Sequence, residues 1–294
     1  MGTMRVSKWL QLRYPLLNQR QREEALDEKL VLLPTGAPAK KGDKVSEGSE
    51  LDCTKLDSFI ETLKQGALIE NVRVVKEEED TIIIDKPEGL ASHPIGLFDT
   101  NTVTQWMRWK YPQINQEFPE PQPTLTPHRL DQGTSGVMVV ALTKASFLGW
   151  RDKFKKKMIT KEYLAWCWGN PTEKEYSVDV DIAHMVGDPR KMIALKGEVK
   201  YRPPVLEAFS EVKVEKLVSK KGIFLARVEC STGVTHQVRV HLASLGFPLV
   251  GDSLYDPLHS QREIERKTHA LRAVSLKAEG WGVSVSTDDF CIEY

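Results

Sequence analysis

The sequence lacks any apolar run approaching the ~20 residues a membrane-spanning helix requires, and residues 1–8 carry no secretory apolar core. These absences predict a soluble protein of the cytoplasm. Cysteine is scarce: Cys53, Cys167, Cys230 and Cys291 stand far apart, without the close pairs of metal sites or redox motifs. Reduced thiols and no bound zinc follow as expectations. Net charge is missing as well. The chain has 41 Lys and Arg against 41 Asp and Glu, so bulk charge by itself nominates no nucleic-acid partner.

What is present is ordinary globular composition, 40% apolar and 28% charged over 294 residues. That excludes disorder and predicts a main body of about 200 residues with a smaller module beside it. The charge is unevenly placed. Lys144, Arg151, Lys153, Lys155, Lys156, Lys157 and Lys161 face only Asp152 as an acid, which predicts a local basic surface. Such a run serves equally well as a phosphate-tracking face or as a merely solvated helix.

Periodicity predicts two helices near the start, the second over residues 18–26, then a strand-like segment over 29–33 and a turn at Pro34-Thr35-Gly36. This compact unit, residues 1–53, is followed by a polar stretch over 54–70 that looks like a linker, in part helical. Strands at 72–76 and 81–85 open the larger domain, residues 71–294. A helix at 100–109, a buried strand at 137–142 and a helix at 145–157 come next, then strands at 162–168, 206–214 and 224–229. The segment 235–245 reads as a helix capped by Thr235 and ended by Gly246, before strands at 272–277 and 290–292. Strands outnumber helices and regular crossover helices are missing, so the expected class is α+β: a mixed, largely antiparallel sheet with flanking helices and a small N-terminal α/β module.

The string richest in chemistry is His128-Arg129-Leu130-Asp131-Gln132-Gly133-Thr134-Ser135-Gly136, immediately before the buried strand. An aspartate followed by Gln, Gly, Thr, Ser and Gly is first of all a turn former. Its company raises a catalytic reading to parity, because His128 and Arg129 sit beside a carboxylate on a loop leading into a rigid strand. His236 and His241 are five residues apart, which does not suit a shared metal. Alone, each reads as polar packing at a helix edge, Arg239 as a surface cation, and Tyr163 as one more aromatic in a sheet.

The nine-residue string resembles the central motif of the RluA-type pseudouridine synthases. Asp85-Lys86-Pro87-Glu88-Gly89-Leu90, Lys161-Glu162-Tyr163, the stretch Gly233 to Leu242, and Gly251-Asp252-Ser253-Leu254-Tyr255 follow in the family's order, so the resemblance covers residues 72–277. It implies the pseudouridine synthase catalytic fold and isomerisation of uridine within RNA. Asp131 would be the catalytic carboxylate, Tyr163 the aromatic that packs on the uracil, and Arg239 the cation paired with Asp131. Arg129 would be the wedge that helps extrude the base. His128, Lys86, His236, Lys155, Lys156 and Lys157 would touch RNA. No cofactor and no metal are implied, and the partner would be RNA, ribosomal before transfer RNA, bound by a monomer.

The N-terminal segment resembles the αL RNA-binding module of ribosomal proteins through Lys41 to Val45. Glu23, Glu24, Asp27 and Glu28 favour instead a plain solvated cap. The family commonly shows Arg between the Gly and Thr of Gly-Arg-Thr-His-Gln, whereas this chain has Val234. That departure and the zero net charge motivate a competing reading, a non-catalytic RNA-binding or ribosome-assembly factor. The intact set of Asp131, Tyr163 and Arg239 argues against it.

Overall fold

The computed structural model describes residues 2–263, 266–287 and 290. In chain order it opens with β1 (Thr3–Arg5), α1 (Val6–Arg13), α2 (Gln19–Asp27), β2 (Lys44–Ser46) and α3 (Thr54–Gln65). Then come β3 (Arg73–Glu77), β4 (Thr81–Lys86), α4 (Val103–Lys110), α5 (Ile114–Glu117), β5 (Ser135–Ala141) and α6 (Lys144–Lys155). A run of strands follows: β6 (Thr160–Trp168), β7 (Glu175–Asp179), β8 (Ile182–Met185), β9 (Met192–Ala194), β10 (Tyr201–Leu206), β11 (Phe209–Val218) and β12 (Ile223–Cys230). The chain continues with α7 (Gln237–Ser244), β13 (Leu271–Ala278) and β14 (Trp281–Ser284).

The chain divides into two compact units, the first made of Met1–Glu70, Ala91–Thr126 and Ala141–Phe147, the second of Asn71–Leu90, Pro127–Val140 and Leu148–Tyr294. In the first unit β1 and β2 pair antiparallel. Helix α2 begins on a reciprocal cap: the Asn18 side chain accepts from the Gln21 N–H and the Gln21 side chain accepts from the Asn18 N–H, both at 3.0 Å. The core gathers Val6, Leu10, Leu17 and Ala25 together with Leu56, Ile60, Leu63 and Leu97. Residues 54–70 therefore do not act as a linker. Leu56, Ile60 and Leu63 fall at helical spacing on one face of α3, and that face is buried.

The second unit is built on a nine-stranded sheet ordered β3-β4-β5-β13-β6-β12-β11-β7, with β14 beside β13. β13 runs parallel to β5 and antiparallel to β6; β12 pairs antiparallel with β6 and with β11. β4 and β5 are buried along their whole length, which suits the β-branched run Ile82-Ile83-Ile84 and the run Val137-Met138-Val139-Val140. A separate three-stranded sheet has the order β10-β8-β9. The α+β class and the largely antiparallel sheet expected from the sequence are what the fold shows.

Several elements depart from the sequence reading. Residues 29–33 form no strand; Leu32 makes only isolated bridges to Pro38 and Asp52, and the paired strand of this region is instead Thr3–Arg5. The expected strand at 206–214 is divided between β10 and β11. Thr235 does not cap α7: the residue at the cap is His236, in the left-handed region at φ 59° with no side-chain cap, because its ring is engaged elsewhere. The short strands β7 to β9 and β14 carry too few residues for a periodic signal. The strand expected at 290–292 falls largely outside the described residues.

Candidate active site

Asp131 sits on the loop between Leu130 and β5, and that loop is clamped in place by the segment after β4. The Gly89 N–H donates to the Gln132 carbonyl at 2.9 Å and the Gln132 side-chain amide donates back to the Gly89 carbonyl at 3.0 Å. Lys86 completes the clamp. Its side chain is 0% exposed, and Nζ donates to the carbonyls of Pro87, Leu90 and Gln132 at 3.0, 2.6 and 3.3 Å. Burial pulls its pKa down to about 7, opposed by Asp131 and Glu88, while three carbonyl acceptors match the three N–H bonds of the charged form. The expectation that Lys86 touches RNA is therefore corrected: it is a buried tie beneath the Asp131 loop.

Helix α7 supplies the cation. Arg239 Nη1 donates to Asp131 Oδ2 at 3.0 Å, while Nε and Nη2 grip the two oxygens of Asp252 at 2.8 and 2.9 Å. Asp252, 1% exposed, also accepts from the backbone N–H groups of Leu254 and Tyr255 at 3.0 and 3.2 Å. Burial opposes Arg239's charge, but Asp252 and Asp131 outweigh it and raise its pKa, so the guanidinium is a permanent cation. For Asp131 burial is again the largest influence and raises the pKa; His236, Arg239 and His269 together outweigh it and hold the carboxyl below its ordinary value. Asp131 is thus ionised at neutral pH in a largely water-poor place.

His236 lies on the other side of that carboxylate, with Nε2 3.6 Å from Asp131 Oδ2. The Tyr255 hydroxyl accepts from the Met192 N–H at 2.9 Å and lies 2.7 Å from His236 Nδ1. When the hydroxyl donates to Nδ1, the neutral ring carries its proton on Nε2, facing Asp131. Burial keeps His236 below its usual pKa, with Asp131 pulling the other way. Behind the loop, Thr134 Oγ1 and His269 Nε2 are 2.8 Å apart, and burial pushes His269 down to about 4.

These groups open on a cleft lined by Asp131, Tyr163, Arg239, Lys161, His236 and Arg129 among others. Tyr163 is half-buried on β6, its phenol pushed well above the ordinary value by burial and then by Cys230 and Asp131. Arg129 is exposed. The structure thus gathers Asp131, Tyr163, Arg239, His236 and Arg129 around one cleft.

It does not bring His128 there as an RNA contact. His128 Nε2 accepts from the Val139 N–H at 2.9 Å, its ring stacks on Phe154 at 4.4 Å, and burial pushes its pKa to about 3. It is a neutral strut under β5. Of the basic run, Lys155, Lys156 and Lys157 are exposed, but Lys156 pairs with Asp152 and Lys157 with Glu207, each at 2.7 Å. Lys161 is buried and leaves the basic face altogether. Val234 is half-buried against the cluster of Ile182, Met192, Ala208 and Val240, a surrounding that suits an aliphatic side chain. Asp252 and Tyr255 were legible only as members of a motif, and His269 carried no signal in its neighbours. Among the described residues no three His, Cys, Asp or Glu side chains gather into a metal-binding group, and no helix is long and apolar enough to cross a membrane.

A mixed α+β sheet presenting one ion-paired carboxylate beside a tyrosine is the class of scaffold that the sequence motifs implied. Residues 80–244 match the family described as RNA pseudouridylate synthase, and the chain belongs to that family. It is similar to the uncharacterized RNA pseudouridine synthase YhcT of Bacillus subtilis, 34% identical over 62% of this chain and 57% of that protein. A second relative, an uncharacterized RNA pseudouridine synthase of Aquifex aeolicus, is 28% identical over 85% of this chain and 76% of that one. The chain therefore spans less than two thirds of the Bacillus relative's length. Among solved structures, human RNA Pseudouridylate Synthase Domain Containing 1 superposes with a TM-score of 0.61 at 26% identity, covering 76% of this chain and 85% of its own.

Proposed function

We propose that this chain isomerises uridine to pseudouridine in structured RNA, ribosomal RNA before transfer RNA, with Asp131 as the catalytic carboxylate. The observation that carries the reading is the Asp131–Arg239 contact of 3.0 Å in the cleft that Tyr163 also lines. In the reaction the bond between N1 and C1′ breaks, the base turns, C5 bonds to C1′, C5 gives up its proton and N1 gains one. An ionised carboxylate serves this either as nucleophile at the sugar or as proton acceptor. Arg239 keeps it ionised, and Tyr163 offers a ring face to an unstacked pyrimidine.

A paired uridine is out of reach inside a helix, so the target must be extruded, with Arg129 at the mouth of the cleft as the wedge. The N-terminal unit adds grip through exposed cations such as Lys8, Arg13, Lys40 and Lys44. A cytoplasmic monomer without cofactor completes the reading, in keeping with free, buried Cys53, Cys167 and Cys230.

The test uses RNA tritiated at uridine C5, since that hydrogen is lost when C5 bonds to C1′. The wild-type chain releases tritium, and Asp131→Asn stays folded, melting somewhat below wild type because Arg239 loses one of its two carboxylates, while releasing none. Release by Asp131→Asn at the wild-type rate overturns the assignment. A protein that retards RNA on a gel without forming pseudouridine would be a binding factor instead.

A further inference from the structure

Lys161 stands two residues before Tyr163 on β6, so both side chains leave the strand on the same face and line the same cleft. Its side chain is 7% exposed. A lysine buried to this degree ordinarily has a carboxylate partner. Here Nζ donates to the Thr232 carbonyl, and among the described residues no acid lies within ion-pair distance. The ring of Phe154 lies 6.0 Å from Nζ. An ammonium has three N–H bonds, so two remain for the cleft.

The neighbouring glycine keeps that direction open. A Cβ at Gly233 would stand 2.9 Å from Lys161 Nζ, and Nζ is the one atom it would crowd. Burial lowers the pKa of the ammonium, with Cys230 as the opposing influence; an oxygen carrying negative charge at this spot would restore it.

We propose that Lys161 donates to a carbonyl oxygen of the target uracil and stabilises the charge that reaches it when the bond between N1 and C1′ breaks. The inference rests on the uridine-isomerising reading above. The electron pair of the broken bond leaves with the base and spreads from N1 onto O2 and O4. Lys161 shares that charge through a hydrogen bond and keeps its proton; the charge is discharged when C5 bonds to C1′. Donors placed where charge develops act mainly on the rate of the chemical step, and removing one costs about 10²–10³-fold in kcat. The same donor opposes cytosine where its 4-amino group would meet an N–H.

The experiment measures tritium release from an in vitro transcript of large-subunit ribosomal RNA, tritiated at uridine C5, by the full-length chain. Lys161→Met is expected to lose about 10²–10³-fold in kcat with little change in KM, and Lys161→Arg, which retains charge and donors, to lose less. Gly233→Ala gives an independent route. Its backbone is not in the left-handed region and Nζ is the one crowded atom, so it is expected to melt like wild type while kcat falls. In the double variant the two losses do not multiply. If Lys161→Met fails to fold, Gly233→Ala and Lys161→Arg carry the test. Wild-type kcat in Lys161→Met or in Gly233→Ala overturns the proposal, as does a loss confined to KM, which would assign Lys161 to an RNA phosphate. No release by the wild-type chain overturns the functional reading, and this inference with it.

Discussion

Arg239 turns Nε and Nη2 to Asp252 at 2.8 and 2.9 Å, and this fork fixes the direction from which Nη1 meets Asp131 at 3.0 Å. The two-point contact leaves the planar guanidinium no freedom to swing, so the position of the Asp131 carboxylate is set through Asp252. Asp252 is itself anchored by two backbone N–H groups at the start of the segment after Gly251.

Asp252→Asn is therefore expected to damage catalysis without touching RNA. An amide cannot accept both guanidinium bonds, Arg239 tilts, and a displacement on the order of 1 Å at the reacting groups costs about 10²-fold in rate. The loss should fall on kcat with KM within a few-fold of wild type, measured by tritium release. Melting should also drop, because a buried cation loses half its compensation. Wild-type kcat in this variant would show that Asp131 is positioned independently of the fork.

Stability should decline as the solution becomes mildly acidic. His128 is held at about 3 and His269 at about 4, both from an ordinary value of 6.5. Below that ordinary value the unfolded chain takes up protons that the folded protein refuses, so folding is favoured less as pH falls from about 6.5 toward about 4. Each group contributes up to about 1.4 kcal/mol per pH unit in this window. Asp131 and Asp252, held below an ordinary 3.8, add their loss only at lower pH. Urea midpoints measured between pH 6.5 and pH 4.5 check the sign; a flat profile contradicts it.

That Asp131, Tyr163 and Arg239 belong to one site was legible because a motif carries its members one by one, although Arg239 and Asp131 lie 108 residues apart in the chain. What the motif could not convey is orientation. His128 stands in the same motif string as Asp131 and Lys86 in the string before it, yet their side chains turn inward and serve the strand and the loop. Periodicity reports which face is apolar and is silent on which polar group meets which across a sheet. The packing role of helix α3 was misjudged for a different reason: Thr54, Lys55, Asp57, Ser58, Glu61 and Lys64 make its composition polar, while its burial rests on Leu56, Ile60 and Leu63 alone. The spacing was present and composition concealed it.

A cut at residue 53 is expected to harm the remainder. It removes Val6, Leu10, Leu17 and Ala25 from a core whose other members are Leu56, Ile60, Leu63 and Leu97. Each large apolar side chain returned to water forfeits about 1.5–3 kcal/mol. The truncated chain should bind a hydrophobic dye and melt lower than the full chain. Equal melting temperatures would show that residues 1–53 are a detachable cap after all.

The strictest geometric demand falls on Gly136, the second residue of the strand that follows the Asp131 loop. Its φ is +114°, and a Cβ there would lie 1.9 Å from the Ala273 carbonyl oxygen and 2.7 Å from the Ala273 backbone nitrogen. Neither atom can yield, because Ala273 is paired with Gly136 on one side and with Tyr163 on the other. Gly136→Ala must therefore part β5 from β13, and the displacement passes to Thr134 and to Asp131, the loop residues just upstream. A loss of more than about 3 kcal/mol is expected, combining backbone strain with overpacking, together with loss of tritium release. Gly149→Ala is the matching control: that glycine is exposed in α6 with no atom near its added methyl, so alanine should stabilise the helix by about 1 kcal/mol. If the two variants melted alike, the close approach of β5 and β13 would not be what holds the Asp131 loop in place.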